Sequence, residues 1–151
     1  MNKYLKLLLS IAICESAGLI GSIFTFNSVG SWYLTLNKPF FNPPSWIFAP
    51  VWTTLYLLMG ISLYLVWGAK KISLKWFWVQ LALNALWSII FFGLKNPTLA
   101  LIEIILLWTS ILLTIKSFWK VKRGAAYLLF PYLLWVSFAA ILNFSIVVLN
   151  K

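Results

Sequence analysis

The 151-residue chain is 63% hydrophobic and only 9% charged, whereas soluble domains are about 45–50% apolar and about 25% charged, so a water-soluble fold is excluded. Its formal net charge of +10 comes from 12 basic and 2 acidic residues with no histidine, which removes any histidine-based metal site or general base. The basic residues fall between apolar runs instead of along one face with interleaved aromatics, so they read as membrane-topology signals and not as a nucleic-acid surface.

Apolar runs of about 20 residues, the length that spans hydrocarbon, predict an all-α membrane protein, a five-transmembrane-helix bundle forming a single domain over residues 1–151. The first run, Leu5 to Phe26, begins beside two lysines, Lys3 and Lys6, exceeds a signal-peptide core and lacks a convincing cleavage site, so it reads as a retained span. It holds the only cysteine, Cys14, which therefore forms no intramolecular disulfide. Glu15 sits mid-span, next to a small-residue patch in which Ala17/Gly21 and Gly18/Ser22 are spaced i, i+4, the pattern that lets helices approach closely.

The long connection, 27–45, mixes aromatics with prolines that fix φ, unlike a flexible Gly/Ser linker. It reads either as an aromatic anchor at headgroup depth or as a lid over a pocket mouth. Helix two follows from Trp46 to Trp67, with Pro44 suited to its first turn and Pro50 expected to bend it. Helices three, four and five are expected at Lys75 to Leu94, Thr98 to Trp119 and Ala125 to Leu149. Their short links imply antiparallel neighbours and an up-down bundle. No internal repeat is visible, and an odd helix count argues against a two-halves carrier.

Nine basic residues, Lys3, Lys6, Lys70, Lys71, Lys75, Lys116, Lys120, Lys122 and Arg123, fall on the N-terminal side of this scheme, against Lys38, Lys95 and Lys151 on the other. The positive-inside bias then places the N-terminus in the cytoplasm, with the long loop and the C-terminus outside. That asymmetry suits a multi-pass protein of a prokaryotic plasma membrane.

Of the ten tryptophans, Trp32, Trp46, Trp67, Trp76 and Trp119 fall near expected membrane boundaries and read as belt residues. Trp52, Trp87 and Trp135 lie deeper, where an indole N–H needs a partner, and are expected to face inward. Polar groups within spans are costly and face the interior, which singles out Glu15, Asn84, Ser88, Glu103, Ser137 and Asn143. Asn84 and Ser88 share a helix face, and interhelical hydrogen bonding accounts for them as well as a ligand does. No nucleophile with its base, phosphate loop or metal cluster is present. The residues favour binding of a large, apolar, planar ligand over hydrolytic or metal-assisted chemistry.

The ordered blocks Trp32-Tyr33, Lys38-Pro39, Pro43-Pro44-Ser45-Trp46, Ala49-Pro50-Val51-Trp52-Thr53-Thr54-Leu55-Tyr56, Ala82-Leu83-Asn84 with Trp87, Phe91-Phe92-Gly93, Pro131-Tyr132-Leu133-Leu134-Trp135 and Phe138-Ala139-Ala140-Ile141-Leu142-Asn143 resemble the TspO/MBR family, the translocator protein or peripheral-type benzodiazepine receptor family. The resemblance implies a five-helix bundle, often a homodimer, that binds porphyrins such as protoporphyrin IX under the first loop. In some members it also implies sterols or synthetic drugs. By position Trp52 and Trp135 match pocket tryptophans, and Asn84, Trp87, Phe138, Ala139 and Asn143 match the helix-three and helix-five wall. Tyr33 and Trp46 match the lid and rim. No cofactor is implied, since the porphyrin enters as ligand.

Two departures stand out. The animal sterol motif needs a Tyr followed by a basic residue, and Leu142 to Leu149 has neither; the helix-three dimer pattern is not glycine-based, with only Ala82 and Ala85 there. Three functions follow as expectations: a receptor or sensor, a transporter, or a light-dependent porphyrin-degrading enzyme in which Trp52 and Trp135 act as electron donors.

Overall fold

A computed structural model describes residues 1–151. It is all-helical, with five stretches long and apolar enough to cross a bilayer, as expected. The chain is a multi-pass integral membrane protein.

Helix α1 (Lys3–Val29) starts where the Asn2 side chain accepts from the Tyr4 amide at 2.8 Å, satisfying one of the orphan donors of a helix start. Helix α2 (Phe48–Val66) is preceded by a 3₁₀ turn, Ser45–Ile47. Pro44 therefore stands before that turn and not within the helix. Pro50 lies in the first turn of α2, where its missing N–H breaks no intrahelical bond.

Helix α3 (Lys75–Ser88) continues as a π turn, Ile89–Gly93. The Phe92 carbonyl, at the end of that turn, has no helical partner, and Ser28 of α1 donates its hydroxyl to it at 2.7 Å. Helix α4 (Pro97–Trp119) is capped by Asn96, whose side chain accepts from the Leu99 amide, with Pro97 in its first turn. The fifth span, expected as one helix, is α5 (Arg123–Tyr127) followed by α6 (Phe130–Leu149). Pro131 has no N–H to give the Tyr127 carbonyl four residues earlier, and the helix breaks there.

Around the bundle, α1 packs on both α2 and α3, and α4 packs on α3, α5 and α6. The ring is closed by α5 against α2, where Ser62 donates to the Ala125 carbonyl at 2.7 Å. Consecutive α2 and α3 are thus not the neighbours their short link suggested; α1 lies between them. The patch beginning at Gly18 explains how. A Cβ at Gly18 would fall 2.5 Å from the Tyr56 ring of α2, and one at Gly21 would fall 3.1 Å from Ser88 Oγ of α3, so α1 presents a bare surface to both helices at once.

The bundle centre is polar but satisfied. Tyr56 donates its hydroxyl to Asn84 Oδ1, Asn84 Nδ2 donates to the Tyr132 hydroxyl at 2.7 Å, and Tyr132 donates to Gln80 Oε1 at 2.8 Å. This network joins α2, α3 and α6 across the membrane interior, where an unpaired group would be costly. Glu103 breaks the pattern: it faces the interior as expected, 5% exposed, and neither carboxyl oxygen has a hydrogen-bond partner.

Candidate ligand-binding site

Toward the loop end of the bundle the backbones of α2 and α6 do not meet as α2 and α5 do at the other end. Aromatic side chains line the space. Trp52 of α2 stands edge-on to Trp135 of α6 with centroids 6.5 Å apart, and Phe48 meets Trp135 at 6.3 Å. Trp87 stacks on Phe91, four residues further along, at 4.9 Å.

The result is a cavity of about 420 Å³ bounded by α1, α2, α3, α4 and α6. Small-molecule sites are typically about 300–1,000 Å³, mostly apolar with few polar groups, and this one fits that description. Leu19, Ser22 and Phe26 of α1 and Ala49 and Thr53 of α2 line it while being exposed, so the cavity is open sideways between these two helices.

The loop covers the cavity as a folded lid. Tyr33 is 3% exposed, packs against Phe91 and Phe92, and donates its hydroxyl to Asn42 Oδ1 at 2.9 Å. Lys38 lies over the Tyr33 ring at 4.7 Å and donates to the Tyr33 and Leu36 carbonyls, so its charge is used to hold the loop. Phe41 meets Phe138 at 6.2 Å, and Asn37 and Asn150 exchange hydrogen bonds that tie the loop to the end of α6. Trp32, expected as a belt residue, packs edge-on against Phe91 at 5.6 Å.

The residues singled out in the sequence sort clearly. Tyr33, Trp52, Asn84, Trp87, Trp135, Phe138, Ala139 and Asn143 all line the cavity. Trp46 does not: it is 73% exposed and points away, since the 3₁₀ turn rotates it off the face that carries Phe48 and Trp52. Asn84 and Asn143 are already bonded to protein. Asn143 Oδ1 accepts from Trp87 Nε1 at 3.0 Å while its amide donates to the Pro97 carbonyl. Glu15, expected inside the bundle, is half-buried and lines the cavity with Ser88. Sequence reasoning gave no role to Phe48, Tyr56 or Phe91. Tyr56 was within reach, being four residues after Trp52 and stacked on it at 5.8 Å.

Fold and cavity together define a five-span membrane protein with an aromatic cavity under a structured loop, open sideways between α1 and α2. A sequence model of the TspO/MBR family matches residues 10–149. The tryptophan-rich protein TspO of Chlorobaculum tepidum is 46% identical over 99% of both chains. The tryptophan-rich sensory protein of Cereibacter sphaeroides is 35% identical over 93% of this chain and 88% of its own. The translocator protein of Bos taurus is 38% identical over 84% and 79%. The chain belongs to the TspO/MBR family.

Proposed function

We propose that this protein is an integral membrane receptor that binds a tetrapyrrole of the protoporphyrin IX kind, or another planar lipophile, in the cavity beneath the 30–44 loop. The observation that carries the reading is the aromatic walling of a 420 Å³ chamber by Trp52, Trp87, Trp135, Phe48 and Phe91. Flat rings stack on flat rings, and polar anchors are few. Family membership supports it. The test is titration of protoporphyrin IX into the protein in nanodiscs, following tryptophan quenching. Saturable quenching that weakens in Trp52→Phe/Trp135→Phe is the expected result, and quenching that never saturates counts against the reading.

A second reading, light-dependent porphyrin breakdown, is favoured by the two indoles set 6.5 Å apart on the cavity wall. Illuminating the same complexes separates the two. Light-driven loss of the porphyrin spectrum in wild type but not in the double variant supports chemistry, and an unchanged spectrum leaves binding alone.

A further inference from the structure

The cavity contains one charged residue, and it is an acid. Among its lining residues Glu15 alone is ionisable as a carboxylate, and no lysine or arginine lines it. No cation of the chain is placed to pair with it. The nearest basic residue on its own helix, Lys6, is nine positions away, or about 13 Å along the axis. Helix α2 carries no charge at all, the only basic residues of α3 and α4 are Lys75 and Lys116 near the opposite end of the bundle from the lid, and α6 has none. Of the three cations at the lid end, Lys38 is held by two carbonyls and the Tyr33 ring, and neither Lys95 nor Lys151 lines the cavity.

Glu15 also sits where a ligand would pass it. It belongs to the row Glu15, Gly18, Leu19, Ser22 along α1 that lines the cavity, in which the exposed Leu19 and Ser22 edge the side opening. A carboxyl in the middle of a span costs several kcal/mol when charged and alone. A ligand carrying an ammonium group neutralises it, leaving no net charge in the chamber. A ligand carrying a carboxylate leaves at least one uncompensated negative charge there, with no cation to receive it.

We infer that Glu15 sets the charge selectivity of the cavity, which accepts planar aromatic ligands bearing a cationic amine in preference to those bearing a carboxylate at the same place. It follows that a dicarboxylic porphyrin enters with its acidic edge turned away from Glu15, toward the lid. This deepens the proposed function and rests on it only in taking the cavity as a ligand site.

The test uses two probes with the same ring system, pyrenylmethylammonium and pyrene carboxylate, in nanodiscs of zwitterionic lipid, with protoporphyrin IX titrated separately. Wild type is expected to bind the ammonium probe about tenfold or more tightly than the carboxylate. In Glu15→Gln, which keeps size and shape, that ratio is expected to fall toward one. Helical circular dichroism of the variant checks its fold, and Glu15→Asp, which keeps the charge, is expected to retain the preference. A ratio unchanged in Glu15→Gln overturns the inference while leaving porphyrin binding standing. Selective pyrene binding without porphyrin binding overturns the tetrapyrrole reading and upholds the role of Glu15. Binding of neither probe class overturns both.

Discussion

The indole N–H of Trp87 on α3 donates to the Asn143 side chain on α6 at 3.0 Å, and Asn143 passes a second bond to the Pro97 carbonyl at the start of α4. Two residues that both read as ligand contacts are therefore bonded to each other, and together they pin three helices at the cavity wall. Hydrogen bonds within membranes average about 0.6 kcal/mol and reach about 1.7 kcal/mol. Trp87→Phe and Asn143→Leu are each expected to destabilise the bundle within that range, and the double variant by less than the sum. Unfolding in bicelles measures the coupling; strict additivity would show that the bond is not formed.

At Gly60 the backbones of α1 and α2 come close together. A Cβ there would lie 2.6 Å from Ile11 Cα, which cannot rotate aside, whereas one at Gly124 would meet nothing within 4 Å. Gly60→Ala is expected to lower stability by about 1–3 kcal/mol through overpacking. Gly124→Ala, within α5, is expected to be neutral or to stabilise by up to about 1 kcal/mol. Comparing the two melting temperatures checks the pair.

Burial pushes the Tyr33 phenol above its ordinary value of 10.0. A group whose folded pKa is raised stabilises fully below its unfolded value, and that contribution is lost as pH climbs through the folded one. Lid protection from amide hydrogen exchange at residues 31–42 is thus expected to fall once pH passes 10.0. Tyr33→Phe is expected to lack this pH-dependent component, while its neutral-pH protection drops by the loss of the Asn42 bond, about 0.5–1.5 kcal/mol.

Asn37 and Asn150 hold the loop to the C-terminal end of α6 through bonds of 2.9 and 2.8 Å. Neither residue touches the cavity, so Asn150→Ala is expected to speed both ligand association and release, with a smaller change in affinity. Stopped-flow quenching measures this. A change in affinity with unaltered rates of entry would show that the loop is not a lid.

Much of this was legible in the chain, for reasons that differ from residue to residue. The spans were visible because hydrocarbon thickness imposes a run length on every crossing, and Trp52, Asn84 and Trp135 because costly groups deep in spans turn inward. The order of helices around the ring was not visible, since the bare Gly18 patch shows that α1 approaches something closely but not that it separates α2 from α3. Nor could Trp46 be placed, because a single 3₁₀ turn at Ser45–Ile47 decides which way it points. The π turn at Ile89–Gly93 leaves no compositional mark and was not legible either.

The most direct test of the central claim is to fill the cavity. Ala139 lines the chamber on α6 beside Phe138 and Trp135, and Ala139→Phe places a ring in the space a tetrapyrrole would take without removing any hydrogen bond. Protoporphyrin IX titrated into this variant in nanodiscs is expected to bind at least about tenfold more weakly than to wild type, a loss of about 1.4 kcal/mol, with helicity retained. Equal affinity in a folded Ala139→Phe protein would contradict the account, because the porphyrin would then be binding somewhere other than the aromatic chamber.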